Sequence, residues 1–225
     1  MIAAFVIDCD GTLVDTEPLW DRTKQEVTER WGGIWSSPLS ASLGGVALGG
    51  TSRRIAEAAK QEGEEQAIAE DLLGSFWVRL TAAPVPALNG ARQLLEELAK
   101  RNIPVAVASN GERIHVETAL RSAGLRPLIA SLHSPEGSLK PKPAPDLYLA
   151  ACQALEVAPA DTIAIEDAVP GLQAAHRAGL LTLAAPTARG AVELDIDGQL
   201  ATLWPLDFEA LDRALQRRAA LSRAG

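Results

Sequence analysis

Ile2-Ala3-Ala4-Phe5-Val6-Ile7-Asp8-Cys9-Asp10-Gly11-Thr12-Leu13-Val14-Asp15 runs an apolar segment straight into two carboxylates. Residues 2–7 are long enough for one strand. A continuous apolar run bounded by turn residues reads as a parallel strand covered on both faces. Asp8 and Asp10 sit where that strand stops, two residues apart. In extended backbone both point to one side. Gly11 lets the chain turn sharply after them. The C-terminal end of a buried parallel strand is where open α/β sheets place their sites. Asp is also common in turns, so the pair alone decides nothing. The question is whether the rest of the chain supplies partners.

Composition narrows the field. The 225 residues suit one large domain or a domain with an insertion. Hydrophobic content of 47% and charged content of 22% are those of a globular protein with its own core. A net charge of −8 without a basic run argues against nucleic-acid or anionic-membrane partners. It leaves open a small anionic substrate, which needs only a local positive site. Cys9 and Cys152 are too few for a disulfide framework and point to a reducing compartment. Cys9 reads as a small buried hydrophobe. The N-terminal run lacks a basic leader, and no stretch reaches the length of a membrane span. A cytoplasmic protein is expected, with a monomer as the default.

After Asp15 the period becomes helical. Residues 17–31 carry Trp20, Val27 and Trp31 on one face, with Pro18 in the first turn and Gly32-Gly33 at the end. Residues 34–50 are mixed and contain Gly44-Gly45 and Gly49-Gly50, without the Lys-Ser or Lys-Thr of a phosphate loop. Helices are expected near 52–62, with Ser52 as a cap, and at 65–80. Pro84 and Pro86 punctuate the chain. Beyond them strands at 103–108, 128–132, 162–166, 180–184 and 200–204 alternate with helices at 91–101, 113–123, 145–156, 171–178 and 207–222. The stretch 186–199 reads as loop.

Such alternation implies parallel strands joined by right-handed crossovers. The connection from the first strand to the second, residues 11–102, is far too long for one helix. An inserted helical domain, roughly 15–85, explains it. The core is then 1–14 and 86–225. The linkers of the insertion flank Asp8 and Asp10, so it sits over them as a lid would.

In a parallel sheet the C-terminal strand ends are neighbours. One edge therefore gathers Asp8 and Asp10, then Ser109-Asn110-Gly111, the segment Leu139 to Asp146 with Lys140 and Lys142, and finally Glu166-Asp167. Four carboxylates so placed need cations, since like charges about 4 Å apart repel by roughly 1 kcal/mol in water and about 4 at intermediate dielectric. Oxygen ligands select a hard cation, most simply Mg²⁺. Ser109 and the N–H groups after it suit a phosphate at a helix start, and a lysine offers it a point charge. The constellation suits phosphoryl transfer, with Asp8 attacking phosphorus and Asp10 as acid, then base.

These residues resemble the haloacid dehalogenase superfamily, in four motifs over nearly the whole core. Asp8 to Glu17 resembles the first motif, Ser109-Asn110-Gly111 the second and Lys142-Pro143-Ala144-Pro145-Asp146 the third. Glu166-Asp167 followed by Gly171 and Ala174-Ala175 resembles the fourth. The resemblance implies an α/β fold with a Rossmann-like parallel sheet core and an inserted all-α cap. It implies Asp8 as nucleophile, Asp10 as acid/base, and Lys142, with Ser109 and Asn110, on the phosphate. Lys140 is left to solvent. It implies Mg²⁺ held by Asp8, the Asp10 carbonyl, Asp167 and Glu166. Dehalogenating members lack the second aspartate, so Asp10 points to phosphate esters. The helical insertion is similar to that of the β-phosphoglucomutase-like branch, which includes sugar-phosphate phosphatases. In that branch the loop corresponding to Gly50-Thr51-Ser52-Arg53 reaches substrate, which makes Arg53 a candidate contact.

The mutases carry a histidine where this chain has Trp20, and their cap lysine has no match near Phe76-Trp77-Val78-Arg79. Residues 17–22, Glu-Pro-Leu-Trp-Asp-Arg, resemble bacterial phosphatases of hexitol and 2-deoxyhexose phosphates. Ala168 stands where serine is common. A phosphatase of a small phosphorylated metabolite is expected, with a phosphosugar mutase as the alternative. Trp20 and Trp77 are candidates for the cap face of the cleft. Trp31, Trp35 and Trp204 read as packing, and His115, His133 and His176 as surface or hydrogen-bonded histidines.

Overall fold

The computed structural model describes residues 1–44, 46–187 and 197–224. Among these, six strands form the centre: β1 (Ala4–Ile7), β2 (Val105–Ala108), β3 (Ser131–His133), β4 (Thr162–Glu166), β5 (Leu181–Ala184) and β6 (Gly198–Gln199). They pair in the order β3-β2-β1-β4-β5-β6, every pair parallel. The topology is the α/β arrangement expected, and every residue of β1, β2, β4 and β5 is buried.

Side chains alternate across the sheet. Phe5, Ile7, Val107 and Ile165 face a core closed by α5 (Ala91–Lys100), α6 (Arg113–Ser122) and α9 (Phe208–Ala224). Leu94, Leu95 and Leu98 of α5 are fully buried there. Val6, Ala106, Ala108 and Ala164 face the other way, onto α7 (Asp146–Ala154) and α8 (Val169–Arg177). Small residues on both sides of that layer, Ala151, Ala174 and Ala175 among them, let these two helices pack close to the strands.

Between β1 and β2 the chain forms α1 (Glu17–Arg30), α2 (Ser37–Ser42), α3 (Leu48–Ala59) and α4 (Glu65–Ala82). This insertion has its own core of Val27, Leu43, Ile55, Ala56, Ile68 and Leu72. Trp31 and Trp35 pack against it, as expected. The chain leaves and re-enters the sheet side by side. Asp15 N donates to Pro86 O at 3.0 Å and Leu88 N to Leu13 O at 2.9 Å. The far end of α4 docks on the main core through Phe76 and Leu80.

Several expected elements shift, each for a local reason. The helix placed at 52–62 begins at Leu48, because Ala47 is extended and its carbonyl accepts from Gly50 N and Thr51 N. Ser52 is therefore not a cap but a buried residue inside the helix, donating to Gly49 O at 3.3 Å. The strand placed at 200–204 is instead β6 at Gly198–Gln199. Thr202 accepts from Trp204 N and donates to Trp204 O, which draws the backbone out of the ladder. Of the loop read at 186–199, residues 188–196 lie outside the described residues, as does Gly45 of the Gly44-Gly45 pair.

His115 is neither at the surface nor fully hydrogen-bonded. α4 lies over α6 and leaves its ring 6% exposed against Phe76 and Trp77, with Nδ1 lacking a hydrogen bond among the described residues. Burial pushes its pKa down. His133 shares a 3.0 Å hydrogen bond with Ser131, and His176 is exposed.

Leu95 tests the sheet–helix core. Leu95→Ala should cost about 2–5 kcal/mol, as full burial of an aliphatic side chain implies. A denaturant melt showing a cost well below this range would contradict the packing described.

Candidate active site

The end of β1 is built for close approach. Gly11 has φ +78°, open to glycine without strain, and a Cβ there would lie 2.3 Å from Asp167 Oδ2. Gly171, in the first turn of α8, is tighter still, since a Cβ would lie 1.7 Å from Glu166 Oε1. Two missing side chains thus let the ends of β1 and β4 and the start of α8 converge. α8 starts at Val169, two residues earlier than expected, with Ala168 as its extended N-cap. Ala168 N donates to Glu166 Oε2 at 3.0 Å, so the backbone there holds the glutamate directly.

Asp8, Glu166 and Asp167 each bring a carboxylate oxygen within 4.8 Å of the others. Asp8 is 6% and Glu166 1% exposed. Lys142, 5% exposed, donates to Asp8 Oδ1 at 2.5 Å and also to Glu166 Oε1. Tyr148 donates to the same Glu166 oxygen at 3.2 Å. Burial alone would push the Lys142 ammonium down, but Asp8 and Glu166 more than offset it and hold the pKa above the ordinary lysine value. Burial, then the Glu166 charge, pushes Asp8 well above the carboxylate range despite Lys142. Burial, then Glu166 and Glu17, pushes Asp167 up to about 8. One ammonium facing three carboxylates leaves an unmatched negative excess. An all-oxygen, buried, acidic set of this kind fits a hard divalent cation.

Asp10 stands outside that trio. Both of its oxygens are occupied: Thr16 Oγ1 donates to Oδ1 at 2.6 Å and Ser109 Oγ to Oδ2 at 3.1 Å. Gly111 N donates in turn to Ser109 Oγ at 3.0 Å. Asn110 clasps the main chain of Lys142, accepting from its N at 2.8 Å and donating to its O at 3.3 Å. The second motif thereby fixes the lysine of the third. Lys140 is exposed, as expected. Cys9 is buried, and burial pushes its thiol pKa up, in keeping with a packing role.

Asp8, Asp10, Ser109, Asn110, Lys142, Glu166 and Asp167 line one cavity, closed from the insertion by Trp20, Lys24, Leu43, Val46, Leu48, Thr51 and Leu73. Trp20 lies flat on Phe76 with ring centroids 3.7 Å apart. Trp77 is not in this lining, and Arg53 is exposed on a neighbouring groove with Glu65 and Glu70. The Gly50 to Arg53 stretch is helical, which turns Thr51 to the cavity and Arg53 away from it. Thr16, Glu17, Lys24, Thr51 and Tyr148 were given no role by the sequence. Thr16 and Glu17 lie within the first motif and Thr51 within the Gly50 to Arg53 stretch, while Lys24 and Tyr148 carried no signal.

A family model for haloacid dehalogenase-like hydrolases matches residues 2–179, and the chain belongs to that family. It is 28% identical to the bifunctional riboflavin kinase/FMN phosphatase of Arabidopsis thaliana over 81% of this chain. It spans 48% of that protein's length, and half or less of two further curated relatives. It is 32% identical to hexitol phosphatase A of Escherichia coli strain K12 over 80% of this chain and 81% of the relative. The crystal structure of β-phosphoglucomutase from Clostridium difficile superposes with a TM-score of 0.84, covering 98% of this chain and all of the other, at 21% identity, a likeness of fold.

Asp167 also gives a test of the cation site. A carboxyl raised in the folded state keeps a proton that the unfolded chain releases near about pH 4, so folding weakens as pH rises through the interval up to the folded value. The chelator-treated protein should therefore melt at lower temperature at pH 8 than at about pH 5.5, and added Mg²⁺ should raise the melting temperature more at the higher pH. A cation-independent, pH-flat profile would contradict this.

Proposed function

We propose that this protein is a Mg²⁺-dependent phosphatase that hydrolyses a small phosphorylated metabolite, a sugar or polyol phosphate, through an aspartyl phosphate on Asp8. The observation that carries the reading is the separation of the two aspartates. Asp8 lies in the buried acidic trio against Lys142, while Asp10 is turned aside and held by Thr16 and Ser109. That separation supports a bond to phosphorus for Asp8 and proton handling for Asp10. The likeness to a hexitol phosphatase and to an FMN phosphatase supports a phosphomonoester substrate, and the former a polyol or sugar.

In this account an Asp8 oxygen bonds to phosphorus as the bond to the leaving oxygen breaks, and Asp10 gives that oxygen its proton. Asp10 then takes a proton from the water that attacks the acyl phosphate, freeing Asp8 and phosphate. Lys142 and Ser109 hold phosphate oxygens, and Asn110 steadies Lys142 through its main chain. Asp8, the Asp10 carbonyl, Glu166 and Asp167 would hold Mg²⁺, which when bound offsets the repulsion between carboxylate and phosphate.

Hydrolysis is favoured over the mutase alternative by Trp20. Its indole can only donate a hydrogen bond and is fixed against Phe76, so it cannot act as the base that a second hydroxyl needs. We place the cap at 15–85 and the catalytic core at 1–14 and 86–225, a division supported by the paired strands of chain at Asp15 and Pro86. Among the described residues no helix is long and apolar enough to cross a membrane. A cytoplasmic setting and a monomer complete the proposal.

Phosphate release from a panel of hexose and hexitol phosphates with Mg²⁺ tests it. Asp8→Asn should bring release to background. Asp10→Asn should lose about 10²–10⁴-fold in turnover with an unchanged circular dichroism spectrum. Undiminished turnover in the first variant refutes the covalent route, and near-normal turnover in the second refutes the proton role. Interconversion of hexose 1- and 6-phosphates in excess of free phosphate would favour the mutase.

A further inference from the structure

Three side chains of α1 face the catalytic cavity: Glu17, Trp20 and Lys24. Spacings of three and four residues put them on one helix face. Glu17 stands at the catalytic end, where its charge is felt by Asp167. Lys24 lies two turns further on, about 10 Å along the axis.

Lys24 is 8% exposed. Its ion pair is with Asp21 at 3.8 Å, and the Asp21 side chain is 54% exposed, so this partner is long-range and shared with water. The insertion's side of the cavity that Lys24 lines is mainly apolar, made by Trp20, Leu43, Val46, Leu48 and Leu73, with Glu17 and Thr51 as its other polar members. Burying an ammonium against such a wall is costly unless an anion meets it. The same wall offers few groups to a neutral polyol, Thr51 among them, whereas a desolvated cation attracts a negative group strongly.

We infer that Lys24 recognises a second anionic group, a carboxylate or a further phosphate, at the end of the leaving alcohol remote from the scissile phosphate. The inference rests on the phosphatase reading and narrows it. Phosphorylated sugar acids and bisphosphates fit this cavity better than neutral polyol phosphates. Trp20 lies between the two charged ends and gives the carbon chain an apolar face.

Titration calorimetry on the full chain with Mg²⁺ tests this without turnover. The probes are alkylphosphonates of equal length ending in a carboxylate, a second phosphonate or a hydroxyl. At least one anion-ended probe should bind about tenfold or more tighter than the hydroxyl-ended one, the scale of one charge-assisted contact. Whichever anion binds tighter names the group. Lys24→Met should erase the preference, and Lys24→Arg should retain it. Equal affinity of the wild-type protein for all three probes overturns the inference, as does a preference that survives Lys24→Met. Hydrolysis of phenyl phosphate, followed separately, reads the phosphatase chemistry. Its absence together with an intact anion preference would sink that chemistry and leave the Lys24 site standing.

Discussion

Asp8, Glu166 and Asp167 crowd together at the ends of two neighbouring parallel strands, and one buried ammonium answers them. Most of the local architecture serves to hold that excess of negative charge. Lys142 bridges two of the acids, Asn110 pins the lysine's backbone, Tyr148 adds a hydrogen bond and Ala168 N another. Gly11 and Gly171 remove the side chains that would keep the acids apart. Remaining repulsion shows as raised pKa values at Asp8 and Asp167, with burial as the first cause of both. A buried all-oxygen set of this kind fits a hard divalent cation.

The same crowding explains why Asp10 differs from Asp8. Had its side chain joined the trio, a fourth carboxylate would have raised the repulsion further. Thr16 and Ser109 instead hold it to one side, so that two aspartates from a single turn meet different partners. The insertion then supplies the wall that the sheet edge lacks. α1 runs outward from the acidic trio, and its inner face, with Glu17, Trp20 and Lys24, lines the cavity.

Much of this was legible in the sequence because it is set by the backbone. The buried runs ending at Ile7, Ala108 and Glu166 fixed parallel strands, and the strand ends brought Asp8, Ser109 and Glu166 to one edge. The choice of Lys142 over Lys140 came only from resemblance, since spacing treats the two alike. Other features depend on how helices dock, which no local pattern records. Lys24 and Thr51 are polar residues on helices until α1 and α3 are seen to close the cavity. His115 looks like a surface residue until α4 covers it. Ser52 reads as a cap until Ala47 is seen to start the helix a turn earlier, and the strand expected at 200–204 is lost where the Thr202 side chain bonds the Trp204 backbone.

The central claim, that Asp8 carries the phosphoryl group, is tested most directly by trapping. Rapid quenching during turnover of a sugar phosphate, followed by borohydride reduction, converts an aspartyl phosphate to homoserine. Peptide mass spectrometry should find homoserine at position 8 and aspartate at position 10. Homoserine at position 10, or unmodified aspartate at both positions while phosphate is being released in a burst, would contradict the account.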